Sequence, residues 1–305
     1  SVRRQEVKIF VTGVNGQSGH DVMLELRRQQ IVGIGSGRAT HSPVANMPYV
    51  SLDITNFESV SQILGDIRPD VVIHCATWTA VDAAELPENR ETVRKVNEDS
   101  TKNLAQCCKA LDCKMIYIST DYVFGSSGET PWEPDCKDFA PQNWYGQTKL
   151  LGELAVSSLL EKYFIVRTAW VFGAYGGNFV KTMLKIGKTM DMLRVVDDQI
   201  GTPTYTPDLA RLLVQMAGTE KYGFYHATNE GGFISWYDFA CQIFRAAGYS
   251  TKVIPVTTTE YGLSIATRPL NSRLSKEKLT QNGFSPLPDW KNALNRYLQT
   301  YDEEA

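Results

Sequence analysis

Val7-Lys8-Ile9-Phe10-Val11-Thr12 runs without interruption into Gly13-Val14-Asn15-Gly16-Gln17-Ser18-Gly19. An apolar, β-branched run that stops at a G-x-x-G-x-x-G turn and continues as an amphipathic stretch reads as strand, tight turn and helix. Glycines let the backbone turn closely and approach a pyrophosphate, while free N–H groups and the helix dipole favour its negative charge. Glycine-rich turns also occur with no ligand. The place of this one, at the first strand-to-helix junction, points to a dinucleotide site on Gly13, Asn15, Gly16, Gln17, Ser18 and Gly19.

The same rhythm continues outward. Apolar runs at Ile31 to Gly35, Val71 to Cys75, Lys114 to Ser119 and Phe164 to Thr168 alternate with helix patterns. These cover Asn56 (as N-cap) to Ile67, Asn97 to Leu111 and Tyr145 to Leu160. Strands this apolar are buried on both faces, so the sheet is expected to be parallel and doubly wound. After Trp170 the rhythm breaks into glycine- and proline-marked loops with helix patterns at 179–188, 208–216, 236–247 and 290–301. The expectation is an α/β chain: a Rossmann-like doubly wound parallel sheet over 7–170. A smaller C-terminal α/β substrate-binding lid follows over 171–305, partly interwoven with the first part.

Composition narrows the function classes. The 305 residues are 43% hydrophobic and 21% charged, with a formal charge of -3 and no basic tail, which argues against nucleic acid as a partner. Six cysteines form no C-x-x-C pair and the four histidines are scattered, so no metal site is expected, and the thiols are expected to be reduced and mostly buried. Ser1 to Glu6 is too polar for a signal peptide, and no stretch approaches the roughly 20 apolar residues of a membrane span. A soluble, cytoplasmic protein with no membrane partner is expected.

The end of the second strand reads Gly35-Ser36-Gly37-Arg38, where an NAD enzyme commonly carries an acid for the ribose 2′-OH. Ser36 and Arg38 suit a 2′-phosphate, so NADPH is expected ahead of NADH, unless Arg38 is only a solvated loop residue. Asp53 and Ile54, after Val50-Ser51-Leu52, reach the adenine, although Asp53 could equally start the turn before Asn56. Tyr145 and Lys149 stand four residues apart, one helical turn, so a phenol and an ammonium project from one face. Such a pair alone is commonly structural. Upstream, a strand ends at Thr120, and ligands of parallel sheets bind beyond the carboxyl ends of strands, so hydroxyl, phenol and ammonium can meet at one substrate oxygen.

These motifs resemble the extended short-chain dehydrogenase/reductase family, and within it the dTDP-4-dehydrorhamnose reductase branch. The narrower likeness rests on seven segments in order. They are Gly16-Gln17, Thr79-Ala80-Val81-Asp82, Thr120-Asp121-Tyr122-Val123-Phe124, Arg167-Thr168-Ala169-Trp170, Gly177-Asn178-Phe179-Val180-Lys181-Thr182-Met183, Asp198-Gln199-Ile200-Gly201-Thr202-Pro203-Thr204 and Arg268-Pro269-Leu270-Asn271-Ser272-Arg273-Leu274.

The resemblance implies reduction of a 4-keto nucleotide sugar by NAD(P)H. Thr120 would bond the carbonyl, Tyr145 would give the proton, and Lys149 would lower the tyrosine pKa and hold the nicotinamide ribose. Cys75, Ala76 and Thr77 would pass the cofactor. Thr79, Val81, Asp121, Val123, Trp170 and Asn178 would meet the sugar, and Gln199, Thr202, Arg268 and Arg273 the nucleotide. Arg268 and Arg273 suit a pyrophosphate by their planar guanidinium, or else bridge surface elements. Ser18, Thr77 and Gly125 depart from the branch pattern without touching this chemistry. Some members bind magnesium at a dimer interface near the position of Asp21, which leaves magnesium, and monomer against homodimer, open. Two other readings compete: a nucleotide-sugar epimerase or dehydratase, and a non-catalytic NADP-binding regulatory subunit like the β subunit of methionine adenosyltransferase.

Overall fold

The computed structural model describes residues 6–301, so the polar start and the last four residues of the expected second part lie outside it. Strand β1 (Lys8–Thr12) leads through the glycine turn into α1 (Gln17–Gln29). There follow β2 (Val32–Gly37), β3 (Tyr49–Ser51), α2 (Phe57–Ile67), β4 (Val71–His74), α3 (Ser100–Leu111), β5 (Lys114–Thr120), α4 (Trp144–Leu159) and β6 (Tyr163–Thr168). Asn56 caps α2 by accepting from the Ser59 N–H. The helix expected over Asn97 to Leu111 begins earlier, at Arg90: an α-helical segment, Arg90–Arg94, passes through a π-helical turn, Lys95–Asp99, into α3.

Two strands of the main sheet escape the sequence reading. Tyr49–Ser51 pairs with β2, and β7 (Gly223–His226), from the irregular half, pairs with β6. Each is too short, and too close to turn residues, to announce itself by pattern. With them the sheet has 7 strands in the order β7-β6-β5-β4-β1-β2-β3, every pairing parallel.

The period-2 alternation of the strands divides the core. Ile9, Val11, Val71, Ile73, Ile116, Phe164 and Val166 enter one layer, while Phe10, Val72, Met115, Tyr117 and Ile165 enter the opposite one. The first layer is closed by Val22 and Leu26 of α1 together with Leu209 and Leu213 of a later helix, Thr206–Ala217. That helix and β7 knit the second half into the first. Three further long helices, Phe179–Gly187, Trp236–Ala247 and Trp290–Thr300, enclose a third core around Phe172, Phe239 and Tyr297.

All six cysteines are free, but only Cys108 and Cys113 are buried; Cys75, Cys107, Cys136 and Cys241 are partly exposed, a correction to the expectation of mostly buried thiols. Cys75 lines the cleft described below, and Cys107 and Cys136 pack against core clusters from their edges. No described helix is long and apolar enough to cross a membrane.

Candidate active site

A cleft of about 1220 Å³ runs along the carboxyl ends of β1, β2, β4, β5 and β6. At one end is the glycine turn. Gly13 has φ +68°, and a Cβ there would lie 2.5 Å from the Ala76 nitrogen, while one on Gly19 would overlap the Gly13 carbonyl. Only glycine lets these backbones touch, and the concavity left open is shaped for a ligand. Gly16 is the N-cap residue of α1, with no side-chain bond to the helix and no acid in its first turn, so nothing there opposes an anion at its N–H groups. The Thr12 hydroxyl accepts from the Cys75 and Ala76 N–H groups at 3.0 Å and pairs with His74 Nδ1 at 2.7 Å, joining the ends of β1 and β4. Burial depresses the His74 pKa to about 3, so the ring is neutral.

The strand ends supply the middle of the wall. Thr120 closes β5, and Tyr145 stands in the first turn of α4, which Asn143 caps by accepting from Gly146. Lys149, one turn on, donates to the Ile118 carbonyl at 2.7 Å and lies 4.4 Å from the centre of the Tyr117 ring. Burial lowers its pKa to about 7, opposed by Glu153 and Cys75. Burial, and then the charge of Asp121, raises the Tyr145 phenol, opposed by its hydrogen bond to Thr120. The Lys149 ammonium is turned onto the Ile118 carbonyl, and desolvation is the largest influence on the phenol. Asp121 is pushed up to about 7 by burial, opposed by hydrogen bonds from Ser272 and from Thr120, the latter at 3.2 Å.

Beyond lies an aromatic end. Trp170 adopts φ 52°, the left-handed region that a bulky residue rarely enters, and stacks on Trp236 with centroids 3.8 Å apart. Gly201 leaves room for it, since a Cβ there would lie 3.0 Å from the indole. Arg268 also faces the cleft, with its guanidinium bound to both Asp82 oxygens at 2.8 and 3.1 Å.

The structure brings most of the expected residues to this one wall: Gly13, Asn15 to Gly19, Ser36, Arg38, Asp53, Ile54, Cys75 to Thr77, Thr79, Val81, Thr120, Asp121, Tyr145, Lys149, Trp170 and Arg268. Asp53 accepts from the Thr55 N–H and hydroxyl, so it does start a turn while lining the cleft. Five residues are not on the wall. Val123 is fully buried in the third core. Asn178 caps helix Phe179–Gly187 and donates to Gln17 at 3.0 Å. Gln199 donates to Thr258, Thr202 to the Gly232 carbonyl, and Arg273 to Asn271. The last three bond to groups off the wall, whereas Asn178 bonds to Gln17 of the wall itself.

Sequence reasoning missed Trp78, Tyr122, Tyr175, Phe179 and Trp236, all on the wall. The strand-end rule reaches Trp78 and Tyr122, which directly follow Thr77 and Asp121; nothing local marks the other three. Among the described residues no three His, Cys, Asp or Glu side chains gather as a metal site, and Asp21 accepts a hydrogen bond from Thr206.

The family description "RmlD substrate binding domain" matches residues 7–303. The chain is 38% identical over 293 residues to a dTDP-4-dehydrorhamnose reductase of Streptomyces griseus, covering 93% of this chain and 91% of that one. It is 39% identical over 258 residues to the enzyme of that name from Escherichia coli K12, covering 81% and 84%. A crystal structure of dTDP-4-dehydrorhamnose reductase from Bacillus anthracis in complex with NADP superposes with a TM-score of 0.88 at 38% identity, covering 97% of this chain and 100% of that one. A glycine turn, a Thr-Tyr-Lys wall and an aromatic end in one cleft accord with these likenesses, and the chain belongs to the RmlD substrate-binding-domain family.

Proposed function

We propose that the chain reduces the C4 keto group of dTDP-4-dehydro-β-L-rhamnose to give dTDP-β-L-rhamnose, the last step of dTDP-L-rhamnose formation, with NADPH or NADH as reductant. One observation carries this reading: Thr120, Tyr145 and Lys149 share a wall with the Gly13–Gly19 turn, which a binding protein without turnover does not need. The names of the relatives support the keto sugar.

The cofactor fits the residues present. The turn at Gly13, Gly16 and Gly19, with Asn15, Gln17 and Ser18, would hold the pyrophosphate, and Ser36 and Arg38 the 2′-phosphate. Asp53 and Ile54 would hold the adenine, and Cys75 to Thr77 and Thr79 would flank the nicotinamide ribose. When bound, the reduced nicotinamide supplies the hydride. The chain does the rest. Thr120 orients the keto oxygen by a hydrogen bond and Tyr145 gives its phenolic proton to that oxygen. Lys149 holds the ribose and places positive charge beside the phenolate that is left. Trp170, with Thr79 and Val81, flanks the sugar, and Arg268 meets the pyrophosphate.

In this reading 7–170 acts as the dinucleotide part and 171–305 mainly as the sugar part, in a cytoplasmic monomer or homodimer. The test is loss of NADPH absorbance when the protein meets the keto sugar, with NADH and Tyr145→Phe in parallel. Turnover in the wild type alone supports the reductase. Tight NADPH binding without turnover turns the reading toward a regulatory subunit, and change of the sugar without net NADPH oxidation toward an epimerase or dehydratase.

A further inference from the structure

Behind the wall lies a charged group that the reaction above leaves unused. Glu153, one turn after Lys149 on α4, is 1% exposed. One of its oxygens accepts from the Ser119 hydroxyl at 2.5 Å, and Ser119 directly precedes Thr120. Its carboxylate also takes a paired bond from Arg167 of β6, at 2.8 Å from Nη2 and 3.0 Å from Nε. Arg167 is wholly buried, donates onward to His226 of β7 at 3.1 Å and to the Pro134 carbonyl at 3.0 Å, and is packed against the rings of Phe124 and Phe224. β6 ends at Thr168, one residue after Arg167, and the chain reaches Trp170 two residues later.

We propose that Glu153 is a positioning residue for this reaction. Its carboxylate joins the strand end bearing Thr120, the helix turn bearing Tyr145 and Lys149 and, through Arg167, the strand leading to Trp170, and its charge keeps the Lys149 ammonium protonated. The inference rests on the proposed reading of those residues. A buried carboxylate is costly without several donors, and here a hydroxyl and a guanidinium supply them from two neighbouring strands, so the geometry is over-determined. Small displacements matter, because a misplacement of about 1 Å can lower a rate by about 100-fold.

The charge argument is equally local. Lys149 is faced by Glu153 and Tyr145 on its own helix, by Tyr117 on β5 and by His74 and Cys75 at the end of β4. His74 is neutral and Cys75, raised to about 12 by burial, keeps its proton, so Glu153 is the one anion among these groups. Desolvation pulls the Lys149 pKa down to about 7 and Glu153 holds it up. Removing that charge moves the loss of the ammonium to lower pH.

The experiment compares wild type, Glu153→Gln, Glu153→Asp and the double variant E153Q/R167M, which leaves no stranded guanidinium. It follows kcat and KM for the keto sugar, and NADPH affinity by fluorescence, across pH 5.5 to about 9, a window spanning the Lys149 and Asp121 values near 7. Lys149→Arg, which keeps its charge throughout, identifies the limb due to Lys149 by abolishing it. Glu153→Gln is expected to lose about 100-fold in kcat and to shift that limb down by about one pH unit or more. E153Q/R167M, which also removes the Arg167 charge, shifts it in the same direction by less and carries the comparison if the single variant does not fold, while Glu153→Asp keeps the limb in place. A limb unmoved in Glu153→Gln and in the double variant, whatever the fall in kcat, overturns the proposal and leaves a merely structural ion pair. If the wild type does not turn over the keto sugar, the reductase reading falls, and the limb in NADPH affinity still decides the role of Glu153.

Discussion

The two ends of the cleft are built differently. At the glycine end the wall is mostly backbone, the Gly13–Gly19 turn seated against the backbone of Cys75 and Ala76. At the aromatic end, Trp170 is held in a left-handed backbone conformation by a stack on Trp236 and by the space at Gly201, and Arg268 is fixed by Asp82, all remote in sequence. A site made of close-packed backbone tolerates side-chain changes except at the glycines whose Cβ would meet that backbone. A site made of long-range side-chain contacts fails one partner at a time.

Between the two ends, Tyr145→Phe has the largest expected effect. Turnover should fall by about 100- to 10,000-fold while NADPH affinity, read by fluorescence, stays within a few-fold. A parallel loss of affinity would mean that the phenol belongs to the dinucleotide end. Arg268→Ala sharpens the division from the other side. Losing a charge-assisted contact of about 1.5 to 3 kcal/mol should raise KM for the nucleotide sugar by 10-fold or more and leave KM for NADPH unchanged. An unchanged sugar KM would show that the guanidinium serves only the Asp82 pair.

Gly19→Ala probes the backbone end. The added methyl meets the Gly13 carbonyl, and overpacking of about 1 to 3 kcal/mol should weaken NADPH binding and lower Tm together. Weak NADPH binding at an unchanged Tm would place the clash in the bound state only. The smallest change is Asn178→Ala, which removes a helix cap and the bond to Gln17 that links the ends; about 1 kcal/mol should appear in Tm, with kcat nearly unchanged. A large fall in kcat would return Asn178 to the sugar pocket.

The structure also separates what was readable from what was not. Helix Trp236–Ala247 has the bounds that its pattern and preceding glycines predict, since its apolar stripe of Phe239, Ala240, Ile243 and Phe244 is complete within the segment. β7 was unreadable because four residues beginning at a glycine acquire strand geometry only against the free edge of β6. Asn178, Gln199, Thr202 and Arg273 sit in motifs that resemble the family, yet they bond to neighbours instead of facing the cleft, and a motif records residue type but not side-chain direction.

By itself the sequence determined the parallel sheet, the glycine turn and the Thr120, Tyr145 and Lys149 placement. Each follows from periodicity of 2 or 3.6 residues or from the rule that ligands bind at strand ends. Only the tertiary structure decided the left-handed Trp170, the Arg268–Asp82 pair, the desolvated Lys149 and the Glu153–Arg167 tie behind it. Those depend on which distant groups are packed together and kept from water, and neither burial nor the charge of a neighbour from another strand is written in any local stretch of chain.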